Sequence, residues 1–111
     1  MTRGGAGSKL TLAMETELAD ESLRRLESDP SFDAGFGREV VKAFRKRMQM
    51  IRAALDERDF YAMKSLRFEK LKGARQKQHS MRLNDQWRLI LEFEREGATK
   101  VVVVCGIEDY H

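Results

Sequence analysis

The sequence predicts a single α+β domain, and three observations carry that prediction. A chain of 111 residues, 41% hydrophobic with one proline, has room for one modest core. Apolar side chains recur at helical spacing between residues 41 and 55. From about residue 80 they alternate instead, as half-buried strands do, so helical signals come first and strand signals last.

Residues 1–13 are rich in Gly, Ser and Thr without periodicity and are expected as a disordered extension or an upstream start choice, which makes 14–111 the folded domain. Met14 to Ala19 is expected as a short strand, followed by Asp20 as an N-cap and a helix through about Ser28 that carries Leu23 and Leu26. Asp29-Pro30 breaks that helix, Gly35 and Gly37 bracket Phe36 in a loop, and a second helix starts near Arg38. In it Val41, Phe44, Met48, Ile51 and Leu55 share one face, while Lys42, Arg45, Lys46, Arg47 and Arg52 fall around the rest. The basic side has two readings, a solvated face or a surface for an acidic partner or RNA. Residues 59–71 are expected as a short helix leading into an extended segment, and Gly73 marks a turn.

The last third reads as antiparallel strands, with Asn84-Asp85-Gln86 and Arg95-Glu96-Gly97-Ala98 as the turns between them. Register follows from the apolar pattern, because a one-residue slip sends every side chain to the wrong face. A three-residue loop at 84–86 sets Leu83 against Trp87 and Met81 against Leu89, with Leu91 and Phe93 continuing the buried face and Arg82 opposite Arg88 on the other. A two-residue loop would mix core with charge. Two arginines side by side repel one another, a cost that makes sense where an anion lies between them.

Charge is concentrated. The net formal charge is +3, yet residues 38–77 hold thirteen Lys/Arg against five Asp/Glu, a net +8, flanked by acidic thirds. Such a block is the footprint of a phosphate-backbone binder, and equally of a solvated helix face. One cysteine and two histidines exclude a disulfide framework within the chain and any multi-cysteine zinc site, so no metal or other cofactor is expected. Cys105 lies in a valine run and reads as a small core residue, as does Trp87, and the compartment expected is a reducing cytoplasm. No apolar run is long enough for a signal peptide or membrane span, so no membrane partner is expected.

The string Lys70-Leu71-Lys72-Gly73-Ala74-Arg75, then Ser80-Met81-Arg82-Leu83-Asn84-Asp85-Gln86-Trp87-Arg88-Leu89, and finally Glu108-Asp109-Tyr110-His111, resembles the HigB-type branch of the RelE/ParE toxin superfamily. The resemblance runs from Met14 to His111 in layout and is sharpest from Leu71 onward. It implies two N-terminal helices packed on a small antiparallel sheet, and a ribosome-dependent endoribonuclease that cuts messenger RNA during translation. It also implies a cognate antitoxin of the helix-turn-helix type, with operator DNA bound only through the toxin–antitoxin complex.

In this superfamily the ribose 2′-hydroxyl attacks the adjacent phosphate, without a metal. That calls for a proton acceptor, a cation on the pentavalent phosphate and a donor to the leaving 5′-oxygen. The resemblance assigns Lys72 to phosphate charge or proton transfer, and Arg88 to bidentate phosphate binding through its planar fork. It assigns His111 to acid–base work near neutral pH, Tyr110 to stacking on a base or orienting the phosphate, and Asp109 to orienting Tyr110 or His111. Read alone, Lys72 is a solvated loop lysine, Arg88 a surface strand arginine and the DYH end a frayed terminus. Glu69 departs from the family pattern, which often has a histidine there, and is either a general base or a cation partner for Lys72 or Arg88. Arg75 and Arg82 are expected as RNA-backbone contacts, with Lys70 and Arg67 as weaker ones of the same kind. His79, where the family frequently has an aromatic residue, either stacks on RNA or is a structural or solvent-facing histidine.

Two further functions remain open on the residues. One is a non-cleaving protein of the same fold, either a gyrase-directed toxin resembling the ParE branch or a relic that only binds antitoxin. The other is a plain basic RNA-binding module, whose affinity would fall steeply with salt and which would cut nothing.

Overall fold

The computed structural model describes residues 14–109. The expected extension at residues 1–13, together with Tyr110 and His111, lies outside the described residues.

The element order is β1 (Glu15–Leu18), α1 (Glu21–Ser28), α2 (Arg38–Ala53), α3 (Arg58–Ala62), β2 (Glu69–Lys70), β3 (Gln78–Arg82), β4 (Trp87–Glu96) and β5 (Thr99–Asp109), with single 3-10 turns at Lys64–Leu66 and Gly73–Arg75. The α+β class is as predicted. The Asp20 carboxylate accepts from the Leu23 backbone N–H at 2.9 Å and so starts α1 by satisfying one of its orphan donors.

The sheet has five strands in the order β1-β5-β4-β3-β2. Strands β2 to β5 are antiparallel, as expected, but β1 joins the edge parallel to β5, which makes the sheet mixed. The sequence expectation of an antiparallel sheet is corrected at that one strand. No hairpin ties β1 to β5, so nothing local in the sequence sets its direction. The β3–β4 register is the predicted one, with Met81 opposite Leu89 and Arg82 opposite Arg88. The β4–β5 hairpin closes on Gly97-Ala98, and the φ of +64° at Gly97 is a conformation that glycine adopts without strain. A bulge between Ile90 and Leu91 in the β4–β5 pairing shifts the register.

The core lies between one sheet face and the helices. Leu23 and Leu26 of α1 and Val41, Phe44, Met48 and Ile51 of α2 are buried with Met81, Leu89, Leu91, Val102 and Val104 of the sheet. Leu55 does not belong to it. The α2 helix ends at Ala53 and Leu55 is 54% exposed, because the chain turns away before the stripe reaches a fifth position.

Three of the five cations around α2 have structural work. The Arg45 guanidinium donates to the carbonyls of Leu26, Asp29 and Phe32 at 2.9–3.1 Å, satisfying the end of α1 and the loop after it. Arg47 donates to the Arg82 carbonyl at 3.0 Å, and Arg52 makes a two-point pair with Glu27. Lys42 and Lys46 remain exposed.

Candidate functional site

Residues paired across neighbouring strands project to the same face, which sorts the predicted site residues into two groups. On the face away from the helices, Arg82 pairs with Arg88, Ser80 with Ile90, Glu69 with Ser80, and Arg88 with Glu108. Arg75, Ser80, Arg88, Ile90, Glu108 and Asp109 line an open cleft of about 190 Å³ on that face.

Arg88 forms the floor of this cleft and is only 7% exposed. Its terminal nitrogen donates to the Arg67 carbonyl at 2.8 Å. Arg67 itself is left-handed, with φ +48°, at the end of the 3-10 turn. It is the Arg67 backbone carbonyl that meets Arg88 in the cleft. A Glu69 carboxylate oxygen lies 3.8 Å from the Arg88 guanidinium, within ion-pair reach, and the Glu69 side chain is itself exposed.

Arg75 donates to the Gln78 side-chain oxygen at 2.8 Å and to both Glu108 carboxylate oxygens at 2.7 and 2.9 Å. Gln78 is on β3 and Glu108 on β5, so this guanidinium spans β4. Arg82 forms an ion pair with Asp85 of the neighbouring loop. The repulsion expected between Arg82 and Arg88 is thus relieved by carboxylates of the protein, Asp85 for one and Glu69 for the other.

Asp109, at the end of β5, sits opposite Trp87 and accepts from the Gln86 side chain at 3.1 Å. Lys72 is exposed and follows Leu71, itself a cleft residue. The assignments of Tyr110 and His111 fall outside the described residues. Ser80 and Glu108 are cleft residues that the sequence reading missed. Strand alternation was the available signal for Ser80, two residues before Arg82; Glu108 required the β4–β5 register, which the bulge hides.

His79 and Lys70 pair with one another but do not share the cleft's face. The His79 ring stacks on Phe68, with centroids 5.1 Å apart and planes 11° from parallel, and meets the edge geometry of Phe93 at 5.1 Å. Phe68 thus occupies one face of the ring, on the side of the sheet opposite the cleft. Burial, and after it the Lys70 charge, pushes the imidazole below its ordinary value of 6.5. The native state therefore binds fewer protons here than the unfolded chain. Its contribution to stability is complete above pH 6.5 and is lost as pH falls from there through the depressed native value. Denaturant midpoints measured from neutral to mildly acidic pH should fall less steeply for His79→Phe than for the wild type. Equal slopes would show that His79 does not carry this acid sensitivity.

Cys105 is half-buried, and burial, followed by the Glu92 charge, pushes its thiol up to about 11, which leaves it no nucleophile. Among the described residues no group of three or more His, Cys, Asp or Glu side chains is arranged to hold a metal ion.

Residues 16–111 match the family model of HigB-like toxins, described as the RelE-like toxin of the type II toxin-antitoxin system HigB. Among solved structures, the YoeB/ParE toxin from Agrobacterium tumefaciens is similar, with a TM-score of 0.58 over 88% of this chain and 100% of that one. Sequence identity between the two is 15%, so the likeness is one of fold. No curated protein matches the chain in sequence.

Proposed function

The chain belongs to the HigB-like family of RelE-like type II toxins, and from that premise we propose that it is a ribosome-dependent mRNA endonuclease that inhibits translation. A type II toxin has an antitoxin as its partner. For this chain we take the antitoxin to be a helix-turn-helix protein that neutralises it, with operator DNA bound only by the complex of the two. The described residues include no helix long and apolar enough to cross a membrane. The proposed place of action is the cytoplasm, where messages are translated.

The observation that carries this reading is the buried Arg88 guanidinium at the floor of an open, arginine-bearing cleft. A guanidinium held by packing and by the Arg67 carbonyl is oriented before substrate arrives, so binding a phosphate there costs little side-chain ordering. In the proposed reaction a base takes the proton from the ribose 2′-hydroxyl, and the 2′-oxygen forms a bond to phosphorus. The bond from phosphorus to the 5′-oxygen breaks, and that oxygen takes a proton from an acid, leaving a 2′,3′-cyclic phosphate and a 5′-hydroxyl. Arg88 and Lys72 stabilise charge on the pentavalent phosphate. His111 and Glu69 are the candidate proton carriers, and Tyr110 and Asp109 orient substrate and imidazole. Arg75 and Arg82 contact the RNA backbone, and the reaction as written uses no metal.

Glu69 and Glu108, which face Arg88 and Arg75, favour a second reading. With its cations matched by carboxylates, the same fold serves as a non-cleaving protein, gyrase-directed or antitoxin-binding only. Induction of wild type beside His111→Ala separates the two. The endonuclease reading predicts growth arrest with cleaved message for wild type, and loss of both for the variant. Arrest without cleavage, or arrest that persists in His111→Ala, contradicts it.

A further inference from the structure

Ser80 is 2% exposed, and its hydroxyl has no hydrogen-bond partner among the described residues, although the side chain lines the cleft beside Arg88. Buried hydroxyls are nearly always bonded, and one left without a partner carries a desolvation cost. The residue would be better as alanine if packing were its only task. Its place in the sheet suggests another. Ser80 stands opposite Glu69 on one side and Ile90 on the other, on the face that presents Arg88.

We propose that the Ser80 hydroxyl is a phosphate-binding group of this cleft, donating a hydrogen bond to a non-bridging oxygen of a nucleotide phosphate that the Arg88 guanidinium also holds. The inference deepens the endonuclease reading and rests on the same cleft. A serine hydroxyl and an arginine fork are complementary to a phosphate ester, since both donate and the fork supplies charge.

Arg75 lines the same cleft, and its side chain spans β4 from Gln78 to Glu108. Both partners of the Arg75–Glu108 pair are about half exposed (45% and 46%), and exposed pairs of this kind hold weakly. An incoming phosphate exchanges with Glu108 as the partner of Arg75, so the cleft gains a second guanidinium for the phosphate. Glu108 thereby competes with the phosphate for Arg75.

The probe is adenosine 3′-monophosphate, titrated into the full-length chain and followed through backbone amide shifts of residues in β3 and β4. Wild type is expected to bind, Ser80→Ala to bind at least about tenfold more weakly, and Ser80→Thr, which keeps the hydroxyl, to recover most of the loss. Ser80→Ala should melt at the wild-type temperature or above it, since it removes an unpartnered polar group; a purely structural serine would lower the melting temperature and leave nucleotide affinity alone. Glu108→Gln should bind more tightly than wild type. Equal affinity of wild type and Ser80→Ala, or no binding by wild type, overturns the proposal. Ser80-dependent binding by a protein that cuts no message on ribosomes would leave this site standing and remove the endonuclease reading alone.

Discussion

Arg88→Lys is expected to lower the rate of message cleavage by about 10²-fold or more, the scale seen when one preorganised donor to a developing oxyanion is removed. Lysine keeps the charge, so the loss measures the planar fork and its fixed orientation. The orientation has visible causes: 7% exposure, the bond to the Arg67 carbonyl and the nearby Glu69 carboxylate. Arg88→Ala should be equally inactive but less informative, because it also leaves the Arg67 carbonyl without its donor. Antitoxin binding by the lysine variant should stay at the wild-type level, which separates loss of chemistry from loss of fold. Retention of cleavage within a fewfold of wild type would place the chemistry elsewhere.

The second large effect is on stability. Phe44→Ala is expected to destabilise the protein by about 3–5 kcal/mol, a large part of the roughly 5–15 kcal/mol that holds a domain of this size together. Phe44 is fully buried (0% exposed) at the middle of α2, among side chains of both α1 and the sheet. Those neighbours belong to separate elements and cannot all collapse into the space. Urea unfolding should show a much lower midpoint with little change in slope. Leu55→Ala is the matched control, since Leu55 is 54% exposed beyond the helix end and its truncation should cost less than about 0.5 kcal/mol. Comparable losses at both positions would mean that the apolar stripe of α2 is not the core.

Those two positions also mark how far the sequence could be read. Phe44 was legible because helical periodicity and the buried face coincide there; Leu55 continued the periodicity past the point where the backbone stops being helical. The β3–β4 register was legible because a slip would have exposed Met81 and Leu89 together. The parallel pairing of β1 was not, since edge strands without a hairpin carry no local signal of direction. In the site, alternation set Arg82 and Arg88 together, and likewise explains why His79 could not join them: one residue from Ser80, it must point to the other face. Glu108 and the Arg67 carbonyl escaped for different reasons. The first depends on a bulge, and the second is a backbone group whose direction follows from a left-handed residue that is not glycine.

The most direct test of the central claim is cleavage of a defined message by the purified protein in a reconstituted translation system, with the 5′ ends of the fragments mapped. Cuts are expected within the translated frame when ribosomes are elongating, none when initiation is blocked, and none by Arg88→Lys at matched concentration. Intact message under active translation, or equal cutting with and without ribosomes, would contradict it.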